Sequence, residues 1–149
     1  MPEFITDYTY KLPISIRFSD IDAYGNVSNT IYLTFFEIAR LAYWKDVANW
    51  DYRKAGVILG RSEVNYLKPL TIEDTVCCYV RTSRIGNSSF DMQYLLTRET
   101  GESKEEICTT GKSVCISYDY ETNKSVPIPG TERDNMIKFD KPGLITNTN

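Results

Sequence analysis

The chain has 149 residues, of which 42% are hydrophobic and 25% are charged, and its formal net charge is −3. This length and composition predict one globular domain over residues 1–149 that buries a core without disulfides. The acidic balance and the scattered Lys and Arg residues exclude an ordinary nucleic-acid surface, and no apolar run is long enough to span a membrane.

The chain contains no histidine, which removes several mechanisms at once. Ser-His-Asp and Cys-His nucleophiles, a histidine general base and the usual zinc sites are all excluded. The four cysteines fall in predicted strands without a C-x-x-C spacing, so we expect reduced, structural thiols. The first residues, MPEFITDYTYKLP, are too polar for a secretory leader and too acidic for a transit peptide, so we expect a cytoplasmic protein.

Hydrophobic periodicity and turn residues predict the elements in chain order. They are a strand over 11–18, a loop over 20–29, a helix from Thr30 to about Asn49, and strands over 57–68, 75–85, 88–99 and 106–118, with Gly60 as a candidate bulge. An irregular, proline-punctuated segment follows, and we expect the tail over 139–149 to be flexible.

The predicted helix and the loop before it form the centre of this organisation. Ser28 or Asn29 is the predicted N-cap, and the helix is apolar on almost every side, which predicts that it is buried. Its first turn presents unpaired N–H groups and the positive end of the helix dipole, a site for a carboxylate, a phosphate or a developing oxyanion. The loop SDIDAYGNVSN brings Asp22 to that site.

One strand, one long helix and four strands joined by short turns predict an α+β domain with a mostly antiparallel sheet. A single sheet covers a helix on one side only. We therefore expect self-association to cover the remaining face and the sheet edges.

The segment from Arg17 to Arg40 resembles the signature of hot-dog-fold acyl-CoA thioesterases of the 4-hydroxybenzoyl-CoA thioesterase type. The matching residues are Arg17, Phe18, Asp20, Asp22, Gly25, Val27, Asn29, Tyr32, Leu33, Phe35, Phe36, Glu37, Ala39 and Arg40. NYLKPL followed by Asp74, the GNSSF turn and VPIP extend the resemblance to about residues 11–130. It implies a five-stranded antiparallel sheet wrapped around one long central helix, in a homodimer that often pairs again into a tetramer.

The resemblance also implies residue roles. Asp22 is the nucleophile or general base, and the backbone N–H of Asn29 polarises the thioester carbonyl. The implied substrate-binding residues are Gly25, Val27, Tyr32, Ser88 and Ser89, although Tyr32 equally suits the core and Ser89 equally suits the hairpin. Asp20 is interpreted as structural, and Glu37 with Arg40 as a structural or interface ion pair.

The chain departs from the family signature at Asn26, where relatives have histidine, and at Ser28, where they have asparagine. The predicted function is hydrolysis of an acyl-CoA or acyl-carrier-protein thioester without metal or cofactor, by a carboxylate beside a helix N-terminus. The alternative is a non-catalytic module that binds or senses acyl thioesters. A dehydratase of this fold is disfavoured because it needs a histidine.

Overall fold

The protein is described from a computed structural model that covers residues 4–141 and 145–146. Two helices and seven strands make up the regular structure, together with 3-10 turns at Ile5–Asp7 and Phe18–Asp20. In chain order they are β1 (Tyr10–Ile14), α1 (Ile31–Tyr43), β2 (Gly56–Tyr66), β3 (Val76–Ile85), β4 (Ser89–Gly101), β5 (Lys104–Asp119), β6 (Lys124–Ser125), α2 (Gly130–Asp140) and β7 (Ile145–Thr146).

The sheet has the strand order β1-β3-β4-β5-β2, and these five strands are all antiparallel. The short β6 pairs with β5, and β7 pairs in parallel with β3. The predicted α+β architecture of five strands around one helix is therefore confirmed. The predicted bulge in β2 is also confirmed, since the register with β5 shifts between Leu59 and Arg61.

The sheet curls closely around α1 because a glycine on β5 leaves room for the helix. Phe36 of α1 stacks on Tyr94 of β4 with ring centroids 4.5 Å apart. A Cβ atom built on Gly111 would lie 2.3 Å from the Phe36 ring, so a side chain there would push the helix away. The buried cluster around this contact contains most of the large apolar side chains of α1 and of the strands.

Helix α1 differs from the predicted helix at both ends. Its N-cap is Thr30, which makes no side-chain capping bond, so the prediction of Ser28 or Asn29 was wrong. After Tyr43 the chain makes a π-helical turn, Trp44–Ala48, and Asn49 ends it in the left-handed region at φ 50°. The helix is also not wrapped on every side: Leu33, Ile38 and Leu41 are each more than 40% exposed.

The sequence pattern missed α2 and extended the first strand too far. The segment GTERDNMIKFD is too polar to show an apolar helical face, because two of its three buried positions are the carboxylates Glu132 and Asp140. Phe139 and Asp140, predicted to be flexible, belong to this helix. Residues 142–144 and 147–149 of the predicted tail lie outside the described residues. The predicted first strand ends at Ile14.

The buried end of α2 is fixed to α1 and β3 through the Asp140 carboxylate. The Tyr43 hydroxyl and the Thr82 N–H both donate hydrogen bonds to Asp140 Oδ2, the latter at 3.0 Å. Burial nevertheless raises the pKa of Asp140, because removing the charged form from water outweighs these two bonds. The four cysteines are free, and no helix in the described ranges is long and apolar enough to cross a membrane.

We expect Asp140→Asn to weaken the pH dependence of stability. A carboxyl whose pKa is higher in the folded state stabilises most below its unfolded pKa, and that contribution is lost as the pH rises through its folded pKa. The amide keeps an acceptor for Tyr43 and Thr82 but does not ionise. Thermal unfolding at pH 5 and pH 8 should show a smaller loss of Tm in the variant. Asp134→Asn, at an exposed position of α2, is the control, and an unchanged wild-type pH profile in Asp140→Asn would contradict the expectation.

Candidate active site

The loop between β1 and α1 is anchored by a buried carboxylate. Asp20 is fully buried and accepts hydrogen bonds from the Arg17 backbone N–H and guanidinium, both at 2.8 Å. The Arg17 hydrogen bonds hold the pKa of Asp20 below its ordinary value. The Asp20 carbonyl also accepts a bond from the Ser28 N–H at 2.9 Å. Asp20 therefore ties the start of the loop to the residues just before α1.

Asp22 lies at the turn of this loop and uses one carboxylate oxygen to shape it. Its Oδ1 accepts bonds from the N–H groups of Tyr24 and Asn26, at 2.9 and 3.1 Å. Gly25 completes the turn at φ +84°, in the left-handed region that favours glycine. Across residues 4–141 and 145–146, no donor reaches Oδ2 of Asp22. Asp22 thus forms the turn with one oxygen and keeps the other free.

The segment that follows β2 holds the other side of the loop. The Val27 N–H donates to the Leu70 carbonyl at 2.8 Å, and Asn26 forms an isolated antiparallel bridge with Thr71. Tyr66, the last residue of β2, donates its hydroxyl to the Asn29 carbonyl at 2.8 Å. The acidic loop is therefore held between its own Asp20 anchor and the end of β2.

A cavity of about 210 Å³ opens where the loop, the start of α1 and the end of β2 meet. It contains both residues that the sequence predicted to be catalytic. Its lining residues are Asp22, Asn26, Val27, Asn29, Tyr32, Tyr66, Leu67, Lys68 and Pro69.

The backbone amide of Asn29 is available to a ligand in this cavity. In the described part of the chain the Asn29 N–H has no hydrogen-bond acceptor, and Asn29 lies immediately before Thr30, the N-cap of α1. A free N–H at a helix N-terminus attracts negative charge. A carbonyl oxygen bound there would lie in the same cavity as the free oxygen of Asp22.

The remaining polar groups give the cavity a mixed electrostatic lining. Lys68 is half exposed and pairs with Glu106 at 2.7 Å, which places a cation at the rim. Tyr32 is buried, and burial is the main cause of its raised pKa, so its hydroxyl stays protonated near neutral pH. Asn26 occupies the position where the family signature has histidine.

Not every predicted site residue lies at this cavity. Gly25 makes the turn but does not line the cavity. Ser89 pairs with Ile116 of β5, whereas Tyr66 pairs with Thr109, seven residues away on the same strand, or about 23 Å. Within one chain, Ser88 and Ser89 therefore lie at the opposite end of the sheet.

Glu37 and Arg40 lie apart from Asp22, in a smaller cavity of about 170 Å³ between α1 and β2. The Arg40 guanidinium is nine-tenths buried and contacts the Glu37 carboxylate at 3.4 Å. The predicted ion pair is present, and it takes no part in the cavity that holds Asp22.

The sequence interpretation assigned no role to Tyr66, Leu67, Lys68 or Pro69, which form one wall of the cavity. The available signal was the NYLKPL segment, which matched the family pattern but was taken only as the end of a strand. Its approach to the acidic loop is a tertiary contact between segments about 40 residues apart.

Comparison with known proteins identifies the family. A model of the thioesterase-like superfamily matches residues 16–137. The chain belongs to this superfamily. The predicted membership in the hot-dog thioesterases is thereby confirmed, and the fold and family are those of acyl-thioester hydrolases.

Individual members of this thioesterase-like group are similar over nearly the whole chain. YsmA of Bacillus subtilis, an uncharacterised protein, is 28% identical over 137 residues, covering 91% of this chain and 90% of its own. The PA5185 protein of Pseudomonas aeruginosa superposes with a TM-score of 0.81 at 27% identity, over 90% of this chain and 93% of its own. A thioesterase of Thermus thermophilus, crystallised with coenzyme A and zinc, has a TM-score of 0.79 at 26% identity, with 92% and 98% coverage.

We expect Asp20→Asn to destabilise this thioesterase-like protein more than Asp22→Asn does. Both buried oxygens of Asp20 accept hydrogen bonds from Arg17, so the substitution turns one acceptor into an NH2 that faces a donor and removes an ion pair, whereas Asp22 is exposed. Asp20→Asn should lower Tm by roughly 3–6 °C. Calorimetry of both variants at pH 7 checks this, and a smaller loss for Asp20→Asn than for Asp22→Asn would contradict the anchoring role.

Proposed function

We propose that the protein hydrolyses an acyl thioester, carried by coenzyme A or an acyl carrier protein, to a free acid and a thiol. The observation that carries the proposal is that Asp22, which keeps one carboxylate oxygen free, and Asn29, whose N–H has no acceptor among the described residues, line one cavity. Membership in the thioesterase-like superfamily and the coenzyme A bound by the Thermus thermophilus relative support a thioester ligand.

In the proposed reaction the thioester carbonyl oxygen accepts the hydrogen bond of the Asn29 N–H, which stabilises the negative charge that develops on it. Asp22 then acts in one of two ways. As a general base it takes a proton from water while the water oxygen attacks the carbonyl carbon. As a nucleophile it attacks that carbon itself and forms an anhydride, which water then opens.

Both routes end with the same bond changes. The tetrahedral intermediate collapses, the carbon–sulfur bond breaks, and the thiolate leaves with the bonding electron pair. In the general-base route the carboxyl group of Asp22 returns its proton to the thiolate. In the nucleophilic route the water that opens the anhydride gives its oxygen to the released acid and a proton to the thiolate, and Asp22 is freed as a carboxylate. Neither route needs a histidine, which agrees with the composition of the chain.

We expect Asp22→Asn to reduce kcat at least about 100-fold, the usual effect of removing a positioned general base. The substituted side chain keeps an oxygen for the Tyr24 and Asn26 amides but has no basic oxygen. Release of free thiol from short, long and aromatic acyl-CoAs, followed with a chromogenic thiol reagent, measures the loss. Asp134→Asn, on the exposed side of α2, is the matched control.

Two other results of that assay would reject the assignment. Hydrolysis by Asp22→Asn at the wild-type rate would reject Asp22 as the catalytic residue. Absence of thiol release by the wild type, together with saturable binding of an acyl-CoA, would favour the binding or sensing module.

We also propose that the active form is a homodimer, which pairs further into a tetramer. Among the described strands β2 pairs only with β5, so its outer edge is open, and the exposed face of α1 beside it carries Leu33, Ile38 and Leu41. An open edge next to an apolar face favours a second copy.

A two-fold axis near the middle of β2 would bring the Gly56 end of one copy beside the Tyr66 end of the other. The Ser88–Ser89 turn lies at the Gly56 end, because Ser117 pairs with Val57 and donates its N–H to the Ser88 carbonyl. In such a dimer Ser88 and Ser89 of one copy would bind substrate at the cavity of the other copy.

We expect the double substitution Ile38→Glu and Leu41→Glu to dissociate this assembly, because two carboxylates cannot be buried at the apolar face without partners. Light scattering coupled to gel filtration should show a mass near the 17.1 kDa of one chain. Phe4→Glu, an equally exposed apolar residue on the N-terminal segment, should leave the assembly intact. A wild-type protein that is already a monomer would refute the proposal.

A further inference from the structure

The first turn of α1 is held by a side chain from the sheet rather than by a helix cap. The N-cap Thr30 makes no side-chain bond to the turn. Tyr66 instead donates its hydroxyl to the Asn29 carbonyl at 2.8 Å, across 37 positions of sequence. The hydrogen bond joins Tyr66, the last residue of β2, to Asn29, which lines the cavity.

The Tyr66 ring is fixed at the same place. It meets the ring of Tyr32 edge-on, with centroids 5.0 Å apart, and Tyr32 is buried in the first turn of α1. The backbone of Tyr66 is paired with Thr109 of β5. Tyr66 therefore has a fixed backbone, a packed ring and a bonded hydroxyl, although half of it is exposed to solvent.

The direction of this hydrogen bond matters for the chemistry. A conventional N-cap side chain accepts hydrogen bonds from the first free amides of a helix and so occupies them. Tyr66 bonds to a carbonyl instead, and the Asn29 amide keeps no acceptor among the described residues. The turn is thus immobilised while the donor that a substrate oxygen needs stays free.

Holding the Asn29 carbonyl also restricts its amide. The carbonyl and the N–H of one residue flank the same Cα atom, so restraining the carbonyl limits the rotation that would turn the N–H away from the cavity. Other bonds hold neighbouring parts of the loop, such as the Val27 N–H to the Leu70 carbonyl. Among the described residues, Tyr66 is the one whose side chain forms a hydrogen bond with the backbone of Asn29 itself.

We propose that Tyr66 is a positioning residue for thioester hydrolysis: through the Asn29 carbonyl, its hydroxyl keeps the Asn29 amide directed at the cavity that contains Asp22. The inference rests on the proposed function and adds a residue to which the sequence interpretation gave no role. Tyr66 acts through Asn29 and does not itself exchange protons with the substrate.

The test is Tyr66→Phe, which removes the hydroxyl and keeps the ring against Tyr32. Losing one oriented hydrogen bond that acts on the oxyanion donor should lower kcat about tenfold. KM should change less than about twofold, because the ring of residue 66 and the other lining side chains stay in place. The pH profile should keep its shape, since Asp22 is untouched.

Tyr10→Phe is the matched control. The Tyr10 hydroxyl donates a hydrogen bond to Asp46 at 2.6 Å and its ring meets that of Tyr43 edge-on at 5.7 Å, but Tyr10 lies on β1, at the opposite edge of the sheet from β2. Its substitution should leave kcat and KM unchanged. A thermal unfolding curve for each variant establishes that both are folded.

Hydrogen–deuterium exchange gives a second readout that does not depend on turnover. Tyr66→Phe should speed exchange of the amides at the start of α1, and Tyr10→Phe should not. Unchanged kcat, unchanged exchange at this turn, or a loss confined to KM in Tyr66→Phe would each overturn the inference while the proposed function stands. Absence of hydrolysis by the wild type would overturn both, so the two failures are distinguishable.

Discussion

The proposed chemistry depends on the backbone amide of Asn29, just before the N-cap of α1, which has no hydrogen-bond acceptor in the described part of the chain. Helix N-termini normally satisfy their free N–H groups with side-chain caps or water. Here Thr30 supplies no cap, and Asn29 and Asp22 line the same cavity. Asn29 is exposed, so water can bond to its N–H until a bound carbonyl oxygen takes that place. The arrangement therefore suits a ligand with a polarised carbonyl group.

The rest of the fold keeps this amide and this carboxylate in place. Asp20 anchors one side of the loop, and the segment after β2 holds the other side through Tyr66 and Leu70. The sheet supports that segment because β2 is paired along its length with β5. The loop that contains the proposed catalytic residues is thus positioned by a rigid scaffold, as loops with catalytic roles usually are. Among the described strands, β2 has no partner on its outer edge.

Because the chain has no histidine, the proposed chemistry relies on a carboxylate and on backbone groups. Asn26 occupies the position where the family signature has histidine, and its backbone N–H donates a hydrogen bond to the Asp22 carboxylate. Within the proposed function, the charge that develops on the carbonyl oxygen is stabilised by a backbone amide and the helix dipole, which do not titrate near neutral pH.

Local periodicity and turn residues such as Gly86 were enough to predict the fold class, the central helix and the five main strands in chain order. They also predicted that Asp22 and Asn29 lie near each other, since seven positions separate them in one loop. The sequence did not predict α2. Two of its three buried residues are the carboxylates Glu132 and Asp140, so the segment has no apolar stripe at helical spacing.

Long-range contacts determine which distant residues complete the cavity. Tyr66 and Lys68 line it because the end of β2, which is paired with β5, lies beside the acidic loop, a contact that no local pattern encodes. The tertiary structure also decided that Ser88 and Ser89 lie at the far end of the sheet in the same chain, because position along an antiparallel strand sets distance from the site. Local preferences specify elements, and long-range register specifies which side chains meet.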